Sequence, residues 1–169
     1  MDTFVEQIVA KKKGGKEYGI IALVILAALI LSAALFLLFP PLMVLVVGIV
    51  YGAWWLITSQ NVEYEYSVTN GDIDIDQIIA QRKRKRIVSV SGAKIESLVP
   101  YNAAEYANRH FDRTVLAAPS MEAATWCFTY HSKKNGHTLV VFSPEERVLN
   151  ALKCGLTKLV ELEMKRKSM

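Results

Sequence analysis

The sequence of 169 residues has few of the side chains, and none of the local motifs, on which catalytic, metal and cofactor sites usually depend. Only two cysteines and three histidines occur, and no two of them stand at the spacing of a zinc motif. The P-loop and the signatures G-x-G-x-x-G, G-x-S-x-G and H-E-x-x-H are all absent. We therefore expect a protein that is not an enzyme and that holds neither a cofactor nor a metal.

One alternative of enzymatic type stays open. Cys127 and His131 would lie on one face of a predicted strand, where a thiol and an imidazole could form a nucleophilic pair. No pattern in the sequence indicates a third residue that would orient the imidazole, or an oxyanion site. His131 and His137 would lie on opposite faces of a hairpin whose turn at Asn135-Gly136 has two or four residues. A metal shared by these two histidines is therefore not expected.

Charged residues are missing over an unusually long stretch. No Asp, Glu, Lys, Arg or His occurs between Gly19 and Ile57, which excludes a purely soluble protein. As a helix, residues 18–39 would span about 33 Å, which matches a hydrocarbon core of about 30 Å. Two consecutive prolines end this helix, and the shorter apolar run after them predicts a second crossing. Residues 18–58 are therefore predicted to form a two-helix transmembrane hairpin.

Basic residues flank both ends of this hairpin. Lysines precede it, and Arg82–Arg86 read RKRKR beyond it. Because cytoplasmic loops are enriched in Lys and Arg, we expect a multi-pass protein of the cell membrane with both termini in the cytoplasm. A cleaved signal peptide is the alternative, with Ser32-Ala33-Ala34 as the cleavage pattern, but the apolar run continues past Ala34.

Two glycines of the second apolar run, Gly48 and Gly52, form a G-x-x-x-G pattern. Ala28 and Ser32 offer a matching small-residue face on the first helix. The glycines either let the two helices of one hairpin pack closely, which we favour, or join two copies of the chain in a homo-oligomer.

The residues before the hairpin, 1–17, are predicted to be an amphipathic juxtamembrane leader. Thr3 and Glu6 have the spacing of a capping box. The apolar residues between positions 4 and 9 would share one helical face, so the helix would lie on the membrane surface or against the following domain.

Residues 59–169 are predicted to form a cytoplasmic domain, and its clearest signal is a turn. Asn70-Gly71 separates two runs of alternating polarity, as in a β-hairpin with a type I′ turn. A two-residue turn pairs Tyr66 with Ile75 on an apolar face. The same register puts Glu65 beside Asp76 on the opposite, acidic face.

Further short strands and a closing helix follow this hairpin. Alternating runs begin near Ile87, Lys94, Thr114, Thr125 and His137, and residues 101–110 allow a short helix in a connection. Ser143 is the predicted N-cap of a helix from about residue 144, with apolar residues from Val148 to Val160 at helical spacing and Gly155 able to split it. This order of elements is similar to a pleckstrin-homology-like (PH-like) antiparallel β-barrel capped by a C-terminal helix.

The segments MDTFVEQIVAKK and, above all, EYEYSVTNGDIDIDQIIAQRKRKR (residues 63–86) resemble a family of small membrane proteins from anaerobic Gram-positive bacteria, which is classed as a domain of unknown function. The resemblance covers most of the chain. It implies a bacterial, membrane-anchored protein, and it brings no activity, ligand or catalytic residue.

The densest charge of the chain, Arg82, Lys83, Arg84, Lys85 and Arg86, allows two interpretations. If it begins an antiparallel strand, alternate basic side chains offset Glu65, Asp74 and Asp76, which we favour. Alternatively, it contacts a protein partner or senses the headgroups of anionic lipids. Nucleic acid is not an expected partner, because the run is short and has no interleaved aromatic residues.

Together, the predicted membrane hairpin, the predicted domain and the absence of catalytic motifs lead us to expect a membrane-anchored, non-enzymatic binding or scaffold module.

Overall fold

The structure is a computed structural model that describes residues 3–106, 109–123 and 125–168. It divides into two compact units. The first unit comprises residues up to 11, residues 63–78 and residues from 84 onward, and the second comprises residues 12–62 and 79–83.

The strands and helices of the described chain are, in order: β1 (Phe4–Ala10), α1 (Gly15–Leu38), α2 (Val44–Thr58), β2 (Val62–Thr69), β3 (Asp72–Ile79), β4 (Lys83–Val90), β5 (Ile95–Pro100), α3 (Ala103–Tyr106), β6 (Arg113–Ala117), β7 (Trp126–Ser132), β8 (Gly136–Phe142), α4 (Glu146–Lys153) and α5 (Lys158–Ser168). Short 3-10 turns connect α1 to α2 and β4 to β5. The predicted short helix in the connection after β5 is confirmed as α3.

The strands form two four-stranded sheets, with the orders β1-β2-β3-β4 and β5-β7-β8-β6. The second sheet is mixed, because β6 runs parallel to β8 while β7 is antiparallel to both β5 and β8. The predicted closed antiparallel β-barrel is therefore wrong, because the strands form two separate sheets and one of these sheets is mixed. The chain leaves β4 through the turn at residues 92–94, and β5 then pairs with β7, so no ladder joins the two sheets within the described residues.

The predicted amphipathic helix of the leader is wrong, because residues 4–10 form the edge strand β1. It pairs antiparallel with β2, from Phe4 opposite Thr69 to Ala10 opposite Glu63. Its β-branched residues favour a strand, and the free edge of β2 supplies the backbone hydrogen-bond partners that a strand needs. The first unit therefore includes β1, unlike the predicted domain of residues 59–169, and the segment with α1 and α2 is inserted between the first two strands.

Gln7 explains why this strand matters to the rest of the first unit. Its side chain is buried and donates a hydrogen bond to the Ser143 carbonyl oxygen (3.1 Å), while its Oε1 accepts one from the Glu145 N–H (2.7 Å). Glu145 is the N-cap of α4, whereas the Ser143 hydroxyl donates to the Ala123 carbonyl. The prediction that Ser143 caps the helix is therefore wrong, because Gln7 from β1 reaches the first turn instead.

The apolar face of the β2–β3 hairpin is confirmed as core. Tyr66, Val68, Ile73 and Ile75 are completely buried. The Tyr66 hydroxyl donates to the Ala117 carbonyl and accepts from the Ser143 N–H (3.3 Å), so it joins β2 to the ends of β6 and β8. Burial raises the pKa of Tyr66 to about 12.

Three glycines from three different connections meet in the first unit. A Cβ on Gly71 would lie 2.3 Å from the Gly155 backbone, and one on Gly92 would lie 2.4 Å from the Gly71 carbonyl oxygen. Gly71 has φ +86° and follows Asn70 at φ 52°, as the predicted type I′ turn requires. Gly155 does split the closing helix. Leu159, which lies within the run from Val148 to Val160 that was predicted to be apolar at helical spacing, is exposed.

The second unit contains α1 and α2, which pack against each other. By length and composition, α1 is the one described helix that could cross a membrane, and α2 is apolar but shorter. Neither helix has a buried residue. Glu17 caps α1 by accepting a hydrogen bond from the Gly14 N–H (3.0 Å).

Candidate functional site

The acidic face of the first sheet carries a cluster of charged side chains that form several ion pairs. Glu65 lies on β2, and Asp74 and Asp76 lie on β3. Glu65 and Asp76 are only 6% and 5% exposed, although a carboxylate is costly to bury without a partner. These acids therefore require cations beside them.

Arg84 and Arg86 of β4 supply these cations. Arg84 pairs with Glu65 and places its Nε 3.6 Å from Asp76 Oδ2. Arg86 places Nη1 2.8 Å from Asp74 Oδ2 and Nε 2.8 Å from Asp76 Oδ1. The hydrogen bond to Asp76 raises the pKa of Arg86 above its ordinary value. The structure thus brings the predicted acidic and basic residues together as an ion-pair ladder.

Arg82 belongs to the second unit and has different neighbours. Its guanidinium carbon lies 5.8 Å from the ring centroids of both Trp54 and Trp55, and its Nη2 donates to Thr58 Oγ1 (3.1 Å). This is cation–π geometry with two rings. The cation also lies at the C-terminal end of α2, where the helix dipole favours positive charge.

Lys83 and Lys85 have exposed side chains. The five residues that look uniform in the sequence thus divide by environment, with two arginines on carboxylates, one on tryptophans and two lysines exposed. The five side chains therefore do not form one uniform basic surface that could bind lipid as a whole. Whether any of them contacts a lipid or a partner stays a prediction.

Gly48 and Gly52 occupy open positions on α2. A Cβ on either glycine would meet no atom within 4 Å outside its own helix. Gly52 lines an apolar groove between α1 and α2 together with Ala28 and Ala53. Close packing of α1 on α2 in this structure therefore does not depend on the absence of these two side chains.

The histidines and cysteines do not assemble into a recognisable centre. His131 and His137 are direct cross-strand partners and share one face, because the turn between β7 and β8 has three residues, so the predicted opposite orientation is wrong. Within the described ranges no group of three or more potential metal ligands occurs. Cys127 is buried, and desolvation raises the pKa of its thiol, which disfavours the nucleophilic thiolate.

Sequence reasoning missed a cleft of about 370 Å³ in the first unit. Arg109 and Lys167 lie at its edge, and both pair with the same carboxylate, Glu105, at 3.2 and 2.7 Å. Aromatic rings line the cleft, and the ring centroids of Phe111 and His137 lie 4.9 Å apart. No local pattern marks this cleft, because its residues come from the loop after α3, from strands and from α5.

Comparison with known proteins gives one result. A family model described as "Bacterial PH-like domain (DUF6106)" matches residues 1–160. No curated protein and no solved structure matches the chain. The family match begins before β1 and continues into α5, so it includes both units.

Proposed function

This chain belongs to the family of bacterial PH-like domains, and from that premise we propose that it is a membrane-anchored, non-enzymatic binding or scaffold module. The hairpin of α1 and α2 holds the PH-like domain at the inner face of the cell membrane. There the domain recognises a protein partner or supports a homo-oligomer. An origin in anaerobic Gram-positive bacteria is part of the same proposal.

The pairing of β1 with β2 is the observation that carries this proposal. Ala10 and Glu63 are cross-strand partners, so the inserted segment leaves and re-enters the domain at neighbouring points of one sheet. A segment that begins and ends on one domain must cross a membrane an even number of times. If α1 crosses, the return path runs through α2, with the residues after Thr58 completing its short span.

The basic residues at both ends of the inserted segment support a cytoplasmic location of the domain. Lysines precede α1, and Arg82 lies on the tryptophans at the far end of α2. Tryptophan is enriched at membrane interfaces, and positive charge is enriched on the cytoplasmic side. Both ends of the inserted segment thus carry the same cytoplasmic signal.

Thiol labelling of intact cells tests this topology, because the chain offers a natural control. Cys154 is exposed in the domain and Cys127 is buried. With Cys154→Ser as background, Met43→Cys places a thiol in the turn between the helices. We expect a membrane-impermeant maleimide to label Met43→Cys in intact cells, and to label native Cys154 only after lysis. Labelling of Cys154 in intact cells would contradict the proposal.

Sensing of anionic headgroups by residues 82–86 is the second candidate. Its requirement is a cation whose charge is not already offset by a carboxylate. Arg84 and Arg86 have carboxylate partners, which argues against them, whereas Arg82 has two aromatic rings and a hydroxyl. The lipid proposal is therefore strongest for the residues nearest α2.

A further inference from the structure

We propose that Arg82, together with Lys83, forms a site for a phosphate anion at the end of α2, and that the ligand is the headgroup phosphate of an anionic lipid. This inference rests on the proposed membrane hairpin and narrows the lipid-binding segment from five residues to two. It gives Trp54 and Trp55 a role in holding the cation.

The position of Arg82 is fixed by a tight turn between β3 and β4. Ala80 and Gln81 both have positive φ, 54° and 55°, a backbone conformation that residues other than glycine rarely adopt. The Arg82 N–H donates to the Ile79 carbonyl (3.1 Å), and the Ala80 N–H donates to the Asn61 carbonyl (2.8 Å). The turn is thus tied to the residues that follow α2, which keeps Arg82 at the tryptophans.

The guanidinium keeps most of its hydrogen-bonding capacity. Arginine has five N–H donors, and Thr58 Oγ1 is the one side-chain acceptor that Arg82 bonds within the described part of the chain. The Thr58 hydroxyl lies 3.0 Å from the carbonyl oxygens of Trp54 and Trp55, so its own proton is directed into the last turn of α2. The remaining planar N–H groups suit the bidentate recognition of a phosphate.

The surroundings favour a lipid as the source of that phosphate. Trp54 and Trp55 are about half exposed, and tryptophan rings prefer the headgroup level of a bilayer. The site directly follows an apolar helix without any buried residue. Lys83 adds a second exposed cation beside Arg82, whereas Arg84 meets Glu65.

Quenching of tryptophan by brominated lipids tests the site in the full chain. Trp126→Phe removes the remaining tryptophan, so that Trp54 and Trp55 report alone. The protein is placed in nanodiscs of phosphatidylcholine mixed with phosphatidylglycerol, and the bromine label is carried by one lipid or the other. We expect phosphatidylglycerol to be preferred at the tryptophans by more than about fivefold, since a single basic residue near an anionic surface has about that effect and the site has two.

Two variants and one added anion define the outcomes. Arg82→Gln should lower the preference about fivefold, and Arg82→Gln with Lys83→Gln should make quenching by the two lipids equal. Lys85→Gln, which removes an exposed cation of the same segment, should leave the preference intact. Inorganic phosphate, compared with chloride at matched ionic strength, should not reduce the preference; selective displacement by phosphate would reassign the site to a free anion and overturn the lipid assignment. An unchanged preference in Arg82→Gln would also overturn the inference.

The same measurement separates this inference from the proposed function. If the hairpin does not enter a membrane, neither brominated lipid quenches Trp54 or Trp55. If the hairpin enters but Arg82 only stabilises the end of α2, both lipids quench equally in the parent protein. Circular dichroism confirms that each variant keeps its helices and strands.

Discussion

The two units use the same apolar residue types but place them differently with respect to their surfaces. In the first unit, Tyr66, Val68, Ile73 and Ile75 are completely buried, whereas no residue of α1 or α2 is buried. Alternating polarity gives a strand one apolar face, which a second layer can cover. A helix that is apolar on every side cannot be covered by one partner helix, so part of its apolar surface stays exposed in the single chain. The arrangement of apolar residues thus distinguishes the units.

Separating the two units is expected to have the largest effect. Replacing residues 11–62 with Asn-Gly lets Ala10 and Glu63 flank a type I′ turn, and we expect a soluble domain that unfolds cooperatively. Residues 63–169 alone lack β1 and Gln7, so we expect this fragment to aggregate or to unfold without a cooperative transition. Circular dichroism and thermal melting compare the two chains, and equal stability would mean that β1 is not part of the domain.

Removing core volume from the first unit is expected to have the next largest effect. Ile75 is completely buried, so Ile75→Ala should lower the free energy of unfolding by about 2–5 kcal/mol. Asp74→Ala, on the neighbouring residue, removes a partly exposed partner of Arg86 and should cost less than about 1 kcal/mol. Urea unfolding of the full chain in detergent measures both, and equal losses would contradict the assigned faces of β3.

Glycine substitutions compare the packing of the two units directly. A Cβ on Gly155 would lie 2.5 Å from the Gly71 carbonyl oxygen, so Gly155→Ala should destabilise the domain by about 1–3 kcal/mol. Gly48→Ala on α2 meets no atom within 4 Å and should leave the melting temperature unchanged or slightly raised. A large loss of stability in Gly48→Ala would indicate a partner helix that this single chain does not contain.

The ion-pair ladder gives the smallest expected effect. Arg84→Gln leaves the buried Glu65 carboxylate without its nearest cation, and we expect a loss of about 1–2 kcal/mol. Lys85→Gln, at an exposed side chain, should change the stability by less than about 0.5 kcal/mol. Adding Glu65→Gln to Arg84→Gln should restore part of the loss, and additive losses in this cycle would show that the two side chains do not interact.

Local patterns in the sequence determined several features of this protein. Asn70-Gly71 specifies its turn because both residues adopt positive φ, and alternation around the turn identifies the apolar and acidic faces. The uncharged stretch identifies α1 because its length and composition suffice. The acidic and basic runs predicted the ladder, since opposite charges on neighbouring strands offset each other.

Other features depended on groups distant in the sequence, and only the tertiary structure decided them. Residues 4–10 fit a helical face as well as a strand, and the free edge of β2, more than 50 residues away, selected the strand. Gln7 replaced Ser143 at the start of α4, and the close approach of Gly71 to Gly155 has no signal in either segment. The three-residue turn reversed the expected placement of His131 and His137. A local pattern determines which conformations a segment can adopt, whereas backbone partners and available space determine which one it adopts.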